Sequence, residues 1–263
     1  MSRNKLGEQQ MISGDVINKI LSAPVKLDNY LLDVAMRTAT HAFLGNATQG
    51  CYIRMIKLLT LLYTQQGRDL STVRVLDWGT GKGHISYLLK AAGFNVTSCD
   101  VRSSAEDNSF SQKTPILEEK LINVISLDDP WILPFKDGEF DLVVSFGVLE
   151  HVSNDYESLR EIRRVLTCGG MFFFSFLPYW FSWIQRLSHL RGNLYHHRLY
   201  KKKTLVHMAE NAGFKVVHIW HGQLLPKNAA PHNNVIENVD RFLTHSTPLK
   251  YFATNLEGIF IAE

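Results

Sequence analysis

The chain is poor in cysteine and has no pair of cysteines at the spacing of a metal or disulfide site. Cys51, Cys99 and Cys168 are the only three among 263 residues. Scattered single thiols fit a reducing compartment, where structural disulfides are rare. A disulfide scaffold and a cysteine-based zinc site do not fit, and we expect a cytoplasmic protein.

Long hydrophobic runs are also missing. The most hydrophobic window, residues 171–184, is interrupted by Ser175, Pro178 and Ser182. It is shorter than the roughly 20 apolar residues that span a bilayer. Residues 1–8 lack the apolar segment of a signal peptide. We therefore expect no transmembrane segment.

Charge of one sign is not in excess either. Lysine and arginine number 28 against 25 acidic residues, a net charge of +3, and 45% of the residues are hydrophobic. This balance gives no reason to expect a nucleic-acid partner. The composition is that of an ordinary globular protein, and the length allows one large α/β domain with a helical addition.

A glycine-rich turn is the most informative feature that is present. Residues 73–78 have the pattern of a short buried strand, Gly79, Gly81 and Gly83 follow, and a helical apolar spacing begins at Ile85. Glycines at a strand-to-helix turn allow a ligand to approach the backbone closely, because they have no Cβ. The pattern predicts a ligand site.

The charges around this turn favour a cationic ligand. A dinucleotide-binding G-x-G-x-x-G motif requires glycine or alanine where His84 stands. Asp77, two residues before the first glycine, would repel a pyrophosphate. Asp100 follows a second predicted strand, residues 95–99, where a carboxylate can accept hydrogen bonds from ribose hydroxyls. A cationic nucleoside fits, and S-adenosylmethionine is the commonest one.

Further motifs follow in order along the chain. They are D-P-W-I-L-P-F at 129–135, F-D-L-V-V-S-F-G-V-L-E-H at 140–151 and R-V-L-T-C-G-G at 164–170. With the glycine turn they resemble class I S-adenosylmethionine-dependent methyltransferases of the ubiquinone/menaquinone-biosynthesis and small-molecule type. The resemblance is close from Val73 to Phe176 and looser elsewhere. It implies S-adenosyl-L-methionine as the cofactor.

The resemblance also implies a cofactor site in this chain. The methionine end would be held by Asp77 and the backbone of the turn, the ribose by Asp100, and the adenine by Val101 with Asp129 and Pro130 at its edge. The end of the fourth strand would line the methyl channel. The implied cofactor-binding residues are Asp77, Gly79, Thr80, Gly81, Asp100, Val101, Asp129, Pro130, Ser145, Phe146 and Gly147.

The alternation of strand and helix patterns from Val73 predicts an α/β fold with a mostly parallel sheet. Strands are expected near residues 73–78, 95–99, 121–126, 140–146, 170–177, 214–220 and 256–262. The resemblance implies a single Rossmann-like domain whose seventh strand is antiparallel. We expect a helical extension over 1–70 and a methyltransferase domain over 71–263, with acceptor-site insertions at about 179–200 and 222–255.

Two histidines are candidates for catalysis. His151 follows the fourth strand and suits a general base, because an imidazole accepts protons near neutral pH. The alternative is that Glu150 and His151 only hold the loop by hydrogen bonds. His197, in the Tyr195–Tyr200 cluster, is the second candidate for acceptor contact, with a plain surface loop as the alternative. His196 and His197 lack a third ligand apart from His207, so no metal is expected.

The stretch from Trp180 to Leu190 has an apolar stripe at helical spacing. Core packing is the default expectation for such a stripe. A lid over the acceptor and a helix lying on a membrane surface are the alternatives.

Methyl transfer to a small-molecule acceptor, at a hydroxyl oxygen, is the predicted function. A loose likeness to bacterial glycan-biosynthesis methyltransferases at residues 176–179, 197–200, 212–214 and 225–228 suggests a sugar or glycan precursor. Methylation of a quinone or lipid-like acceptor at carbon, oxygen or nitrogen, and a non-catalytic cofactor-binding partner, are the alternatives. Residues 145–148 are not an N-P-P-Y-type motif, so no nucleic-acid partner is expected; peripheral membrane contact and the oligomeric state stay open.

Overall fold

A computed structural model describes residues 13–38, 44–101, 114–129, 131–192, 196, 198–226 and 234–263. Its described part contains one seven-stranded sheet with the order β3-β2-β1-β4-β5-β7-β6. The strands are β1 (Arg74–Trp78), β2 (Asn95–Val101), β3 (Val124–Leu127), β4 (Phe140–Phe146), β5 (Leu166–Pro178), β6 (Phe214–Gly222) and β7 (Asn255–Ala262).

Helices cover both faces of this sheet. Those in the described ranges are α1 (Gly14–Ser22), α2 (Asn29–Thr38), α3 (Asn46–Gln65), α4 (His84–Ala91), α5 (Pro115–Glu119), α6 (Asp155–Val165), α7 (Trp183–Leu190), α8 (Lys202–Asn211) and α9 (Asn234–Ser246). Asn154 caps α6, because its side chain accepts a hydrogen bond from the Glu157 backbone.

The strand directions confirm the predicted α/β fold. β1 pairs in parallel with β2 and β4, and β4 pairs in parallel with β5, whereas β7 lies antiparallel between β5 and β6. The carboxyl ends of β1, β2 and β4 therefore meet at one edge of the sheet. The chain order reverses between β1 and β4, and ligands of open α/β sheets bind at such a point.

Alternation of side chains along the strands builds a core on each face. Val75 and Val144 belong to a cluster that also contains Leu58 and Leu59 of α3, while Leu76 belongs to a cluster on the opposite face with α6 and α8. The N-terminal helices thus share one hydrophobic core with the sheet. The buried apolar side chains of α3 form its packing face.

Two local expectations differ from the structure. β3 begins at Val124 instead of residue 121, because Leu121 adopts a left-handed conformation in the turn after α5. The apolar stripe of α7 does not pack into the core: Trp183 and Leu187 are 39% and 37% exposed, and Leu190 is 86% exposed. Within the described residues, no helix has the length and apolarity needed to cross a membrane.

Candidate functional site

The turn after β1 packs directly against the turn after β4. Gly79 has a φ of +78°, and a Cβ at this position would collide with the side chain of Val148. Gly83, with a φ of +85°, begins α4, and a Cβ there would press on Leu117. Gly81 is different, because a Cβ there would meet nothing nearer than 3.9 Å. Two glycines therefore permit close packing, and the third faces open space.

The backbone N–H groups of this turn already have partners. Gly79 and Thr80 both donate to the Cys99 carbonyl, at 2.9 and 3.1 Å, and Gly81 donates to Asp100 Oδ2 at 2.6 Å. Gly83 donates to the carbonyl of Thr80 at 3.0 Å. A phosphate bound at such a turn needs these donors. The turn is not arranged as a pyrophosphate cradle.

Asp77 lies beneath the turn and is only 1% exposed. Its Oδ2 accepts a hydrogen bond from Ser86 Oγ at 2.5 Å, and Ser86 Oγ lies 2.7 Å from Ser98 Oγ. Burial raises the pKa of Asp77 to about 7, and the nearby Asp100 adds to this effect. A ligand bound at the turn would therefore experience the electrostatic field of the Asp77 carboxylate across the backbone of the turn.

Thr80 is also turned inward. Its hydroxyl donates to the carbonyls of Asp77 and Cys99, at 3.1 and 3.3 Å, and the residue is buried. The Thr80 side chain therefore stabilises the turn, and only the Thr80 backbone lies near the predicted ligand site.

Asp100 stands half-buried at the end of β2. Its Oδ1 accepts a hydrogen bond from the Val101 N–H at 2.8 Å, in addition to the bond from Gly81. Burial raises the pKa of Asp100, and these two hydrogen bonds oppose the rise. Each carboxylate oxygen has a second lone pair for a further donor. Val101 lies half-buried beside it.

Asp129 organises the turn that follows β3. Its Oδ1 accepts a hydrogen bond from the Trp131 N–H at 3.1 Å, and the residue is half-buried. Pro130, expected at the edge of the adenine, lies outside the described residues. β3 ends on the same edge of the sheet as β1 and β2.

The end of β4 is enclosed by aromatic rings. Ser145 is buried, Phe146 is half-buried, and Gly147 has a φ of +69°. The Phe146 ring centroid lies 6.0 Å from that of Tyr52 on α3 and 6.3 Å from that of Phe176. The sequence alone does not place Tyr52 here, because the apolar face of a helix does not reveal which neighbours it meets.

Phe176 has an unusual backbone conformation. Its φ is +61°, and the register of β5 with β7 shifts at this point. A non-glycine residue with positive φ costs about 1–3 kcal/mol and is often found at functional sites. Here it brings the ring to 5.5 Å from Tyr52 and its Cβ close to Gly147.

Glu150, His151 and His196 form a cluster at the same edge. His151 Nε2 lies 3.8 Å from Glu150 Oε1, with side-chain exposures of 45% and 3% respectively. The His151 and His196 ring centroids are 5.7 Å apart. Glu150 Oε2 is buried without a hydrogen-bond partner, and burial raises the Glu150 pKa to about 8.

The imidazoles of the cluster are mostly neutral at pH 7. Burial lowers the pKa of His151, and burial together with the neighbouring histidines lowers that of His196 to about 4. Gln185 of α7 lies with Nε2 2.8 Å from His196 Nδ1, so the amide can donate to this nitrogen. Sequence reasoning missed Gln185, which carries no motif and is linked to the site only through the fold.

The cluster also has ligand atoms suited to a metal ion. One atom from each of Glu150, His151 and His196 lies within 4.8 Å of the others. The sequence expectation of no metal considered His196 with His197 and His207, which is a different set. His207 instead contacts Asn211 on α8, and His197 lies outside the described residues.

Two other residues of the Tyr195–Tyr200 cluster have structural roles. Arg198 donates to the carbonyls of Val152 and Ser153, at 2.6 and 3.1 Å. Tyr200 is buried, and its hydroxyl donates to Asp155 Oδ2 at 2.8 Å. Both hold the loop that carries His151.

Comparison of the chain with known protein families agrees with this geometry. Residues 38–219 match the family model described as methyltransferase domain. The chain belongs to this methyltransferase family, and the resemblance that the sequence motifs indicated is confirmed.

Individual relatives agree with this assignment. One, named "Ubiquinone biosynthesis O-methyltransferase" in Rickettsia bellii, is 33% identical over 102 residues, which are 38% of this chain and 41% of that protein. The chain thus matches less than half the length of this relative. Another, named "Probable S-adenosylmethionine-dependent methyltransferase" in Mycolicibacterium smegmatis, is 26% identical over 219 residues, covering 80% of this chain and 78% of the relative.

Solved structures share the fold. A SAM-dependent methyltransferase from Thermotoga maritima superposes with a TM-score of 0.53 and 14% identity, covering 89% of this chain and 99% of that one. A methyltransferase from Galdieria sulphuraria gives a TM-score of 0.55 and 15% identity, covering 80% and 85%. At these identities the likeness establishes the fold alone.

Proposed function

We propose that the protein transfers a methyl group from S-adenosylmethionine to a hydroxyl oxygen of a small-molecule acceptor. The observation that carries the proposal is a glycine turn set between the buried carboxyl group of Asp77 and the half-buried carboxyl group of Asp100. The backbone N–H donors of this turn already have partners within the protein. Such a site repels phosphate. It favours a cationic ligand, which would restore ionisation of the buried acids.

The residues present fit this cofactor. Asp100 would accept hydrogen bonds from the ribose hydroxyls with its remaining lone pairs, and Val101 would pack on the adenine. The open space at Gly81 would admit the methionine portion beside the backbone. Asp129 would meet the edge of the adenine, and Asp77 would act from below the turn.

The cofactor supplies an electrophilic methyl group when it is bound, so the protein has to align the acceptor and take its proton. His151 would accept this proton, because its lowered pKa keeps the imidazole neutral at pH 7. Glu150, 3.8 Å away, is mostly protonated at pH 7 because burial raises its pKa to about 8, and it would stabilise the imidazolium by ionising when the imidazolium forms. Phe146, Phe176 and Tyr52 would exclude water from the reacting atoms.

The acceptor class that fits best is a quinone-like or phenolic hydroxyl. The wall around Gly147 consists of aromatic rings, and such walls suit flat apolar ligands. Relatives matching part of the chain are named ubiquinone biosynthesis O-methyltransferases, and the relatives compared give no support to the sugar acceptor suggested by the looser likeness. The alternative acceptor of the sequence analysis, a quinone or lipid-like molecule, is therefore preferred.

Methyl transfer from labelled S-adenosylmethionine to a panel of catechols, hydroquinones and sugars tests the proposal. We expect product with the aromatic hydroxyls, a large loss in His151→Ala, and a smaller loss in Glu150→Gln. His207→Ala, at an exposed histidine on α8, is the matched control. Tight cofactor binding without turnover on any acceptor would instead support a non-catalytic cofactor-binding protein.

A further inference from the structure

α7 has two faces with different environments. Gln185 is buried and its amide contacts His196, beside His151. On the opposite side, Trp183, Leu187 and Leu190 are exposed to solvent. The helix therefore connects the candidate catalytic cluster to an outer apolar surface.

That surface extends beyond the helix. An open groove of about 510 Å³ is bounded by apolar side chains of α7 and of the segments around it. We call this surface the apolar face and define it by Phe181, Trp183, Leu187, Leu190 and Phe252. Exposed apolar area of this kind marks a site of interaction when it is contiguous.

The chain segments that supply the apolar face are basic. Residues 179–203 contain six lysines and arginines and no acidic residue, and residues 247–254 contain Lys250 and no acidic residue. Arg198 and Lys202 have partners inside the protein. The remaining cations in these segments are Arg186, Arg191, Lys201, Lys203 and Lys250.

Three of these cations lie beside exposed aromatic rings. Lys201 Nζ is 4.7 Å from the Trp180 ring centroid, Arg186 Cζ is 6.0 Å from that of Phe181, and Lys250 Nζ is 5.6 Å from that of Tyr251. Aromatic rings next to lysine or arginine are typical of surfaces that insert into the headgroup region of a bilayer. A second copy of the chain fits poorly, because two basic rims would repel each other.

We propose that the protein docks on an anionic lipid bilayer through the apolar face, with the surrounding cations contacting the headgroups. The leucines and aromatic rings enter the interface, and the charge complementarity selects anionic over neutral lipid. Because α7 contacts the cluster through Gln185, docking places the candidate catalytic cluster near the membrane surface. A lipid-soluble acceptor would then enter the site from the bilayer. This last consequence rests on the proposed function.

Vesicle co-sedimentation tests the docking without any acceptor or cofactor. We expect binding to vesicles of phosphatidylcholine with roughly 30% phosphatidylglycerol at roughly 0.1 M salt, and little binding to phosphatidylcholine alone or at roughly 1 M salt. Leu187→Ser with Leu190→Ser should weaken binding by about tenfold or more, because two apolar anchors are lost. Arg186→Glu with Arg191→Glu should weaken it by at least about 30-fold, because loss of the two cations alone costs about 2 kcal/mol and the new carboxylates are repelled by the anionic lipid.

Matched controls come from exposed positions elsewhere. Met36→Ser on α2 and Lys90→Glu on α4 change the same properties at residues that are exposed, and both should bind vesicles like the parent. Circular dichroism and thermal unfolding establish that the variants are folded. Equal vesicle binding by the parent and both double variants, or no binding by the folded parent, would overturn the proposal.

Two further measurements distinguish lipid docking from the proposed function and from self-association. Calorimetric affinity for S-adenosylmethionine, measured without vesicles, should be the same in the parent and in both double variants, so failure of docking and failure of the proposed function are told apart. Sedimentation velocity measures mass: a dimer that the leucine variant dissociates, without vesicle binding, would assign the apolar face to self-association and overturn lipid docking.

Discussion

Replacing Asp100 tests the cofactor site most directly. Each of its carboxylate oxygens accepts one backbone N–H, from Gly81 at 2.6 Å and from Val101 at 2.8 Å. One lone pair on each oxygen is then left for the two ribose hydroxyls. Asp100→Ala removes both acceptors, and we expect a loss of about 1.5–3 kcal/mol in binding, the range for hydrogen bonds to charged groups. This is about a 10- to 150-fold rise in Kd.

Calorimetry with S-adenosylmethionine and S-adenosylhomocysteine makes the test specific. Both ligands contain the ribose but only the first contains the sulfonium, so a ribose contact predicts the same factor for both. A larger loss for the sulfonium ligand would mean that Asp100 acts through charge. Glu118→Ala, at an exposed carboxylate of α5, is the control. An unchanged Kd in folded Asp100→Ala would refute the reasoning.

Three other predictions follow from the same region. His151→Ala should lower turnover by about 10²–10⁴-fold with nearly normal cofactor affinity. Because burial lowers the pKa of His151, the rate of the parent enzyme should begin to fall only below about pH 6.5 in a pH–rate profile. Because the Asp77 pKa is raised to about 7, affinity for the cationic cofactor should increase as the pH rises through this value. Calorimetry should show that the protein releases a proton to the buffer on binding, and an affinity that does not change with pH would contradict an ionised Asp77 in the complex. Gly79→Ala should destabilise the fold by about 2–4 kcal/mol from positive φ and the collision with Val148. Val148→Ala should recover the steric part in denaturant unfolding, and additive losses would show that the two turns do not meet.

Most of the fold was predictable because its signals are local. The strand at residues 73–78, its glycine turn and the helix from His84 are encoded by neighbouring residues, and the same holds for the capped helix after Asn154. The order of Asp77, Asp100 and Asp129 along the chain places all three at one edge of a parallel sheet, because every such strand runs in the same direction. The antiparallel seventh strand came from the resemblance to a family.

The features that the sequence did not predict depend on contacts between distant segments. Periodicity identifies the apolar stripe of α7, but whether a stripe faces the core or solvent depends on which elements lie beside it, and here Gln185 is inside while Leu190 is outside. The sequence likewise did not predict that Tyr200 and Arg198 hold the loop before α6, about 45 residues away in sequence.

The sequence by itself determined the class of fold, the acidic character of the ligand site and the position of its glycines, since these follow from local patterns and from the one direction of parallel strands. Only the tertiary structure decided the protonation of the acidic residues at the site. Burial raises the pKa of Asp77 to about 7 and that of Glu150 to about 8, and burial results from the packing of the whole chain. The same packing brings His196 and Gln185 to His151, across a separation in sequence that no motif spans.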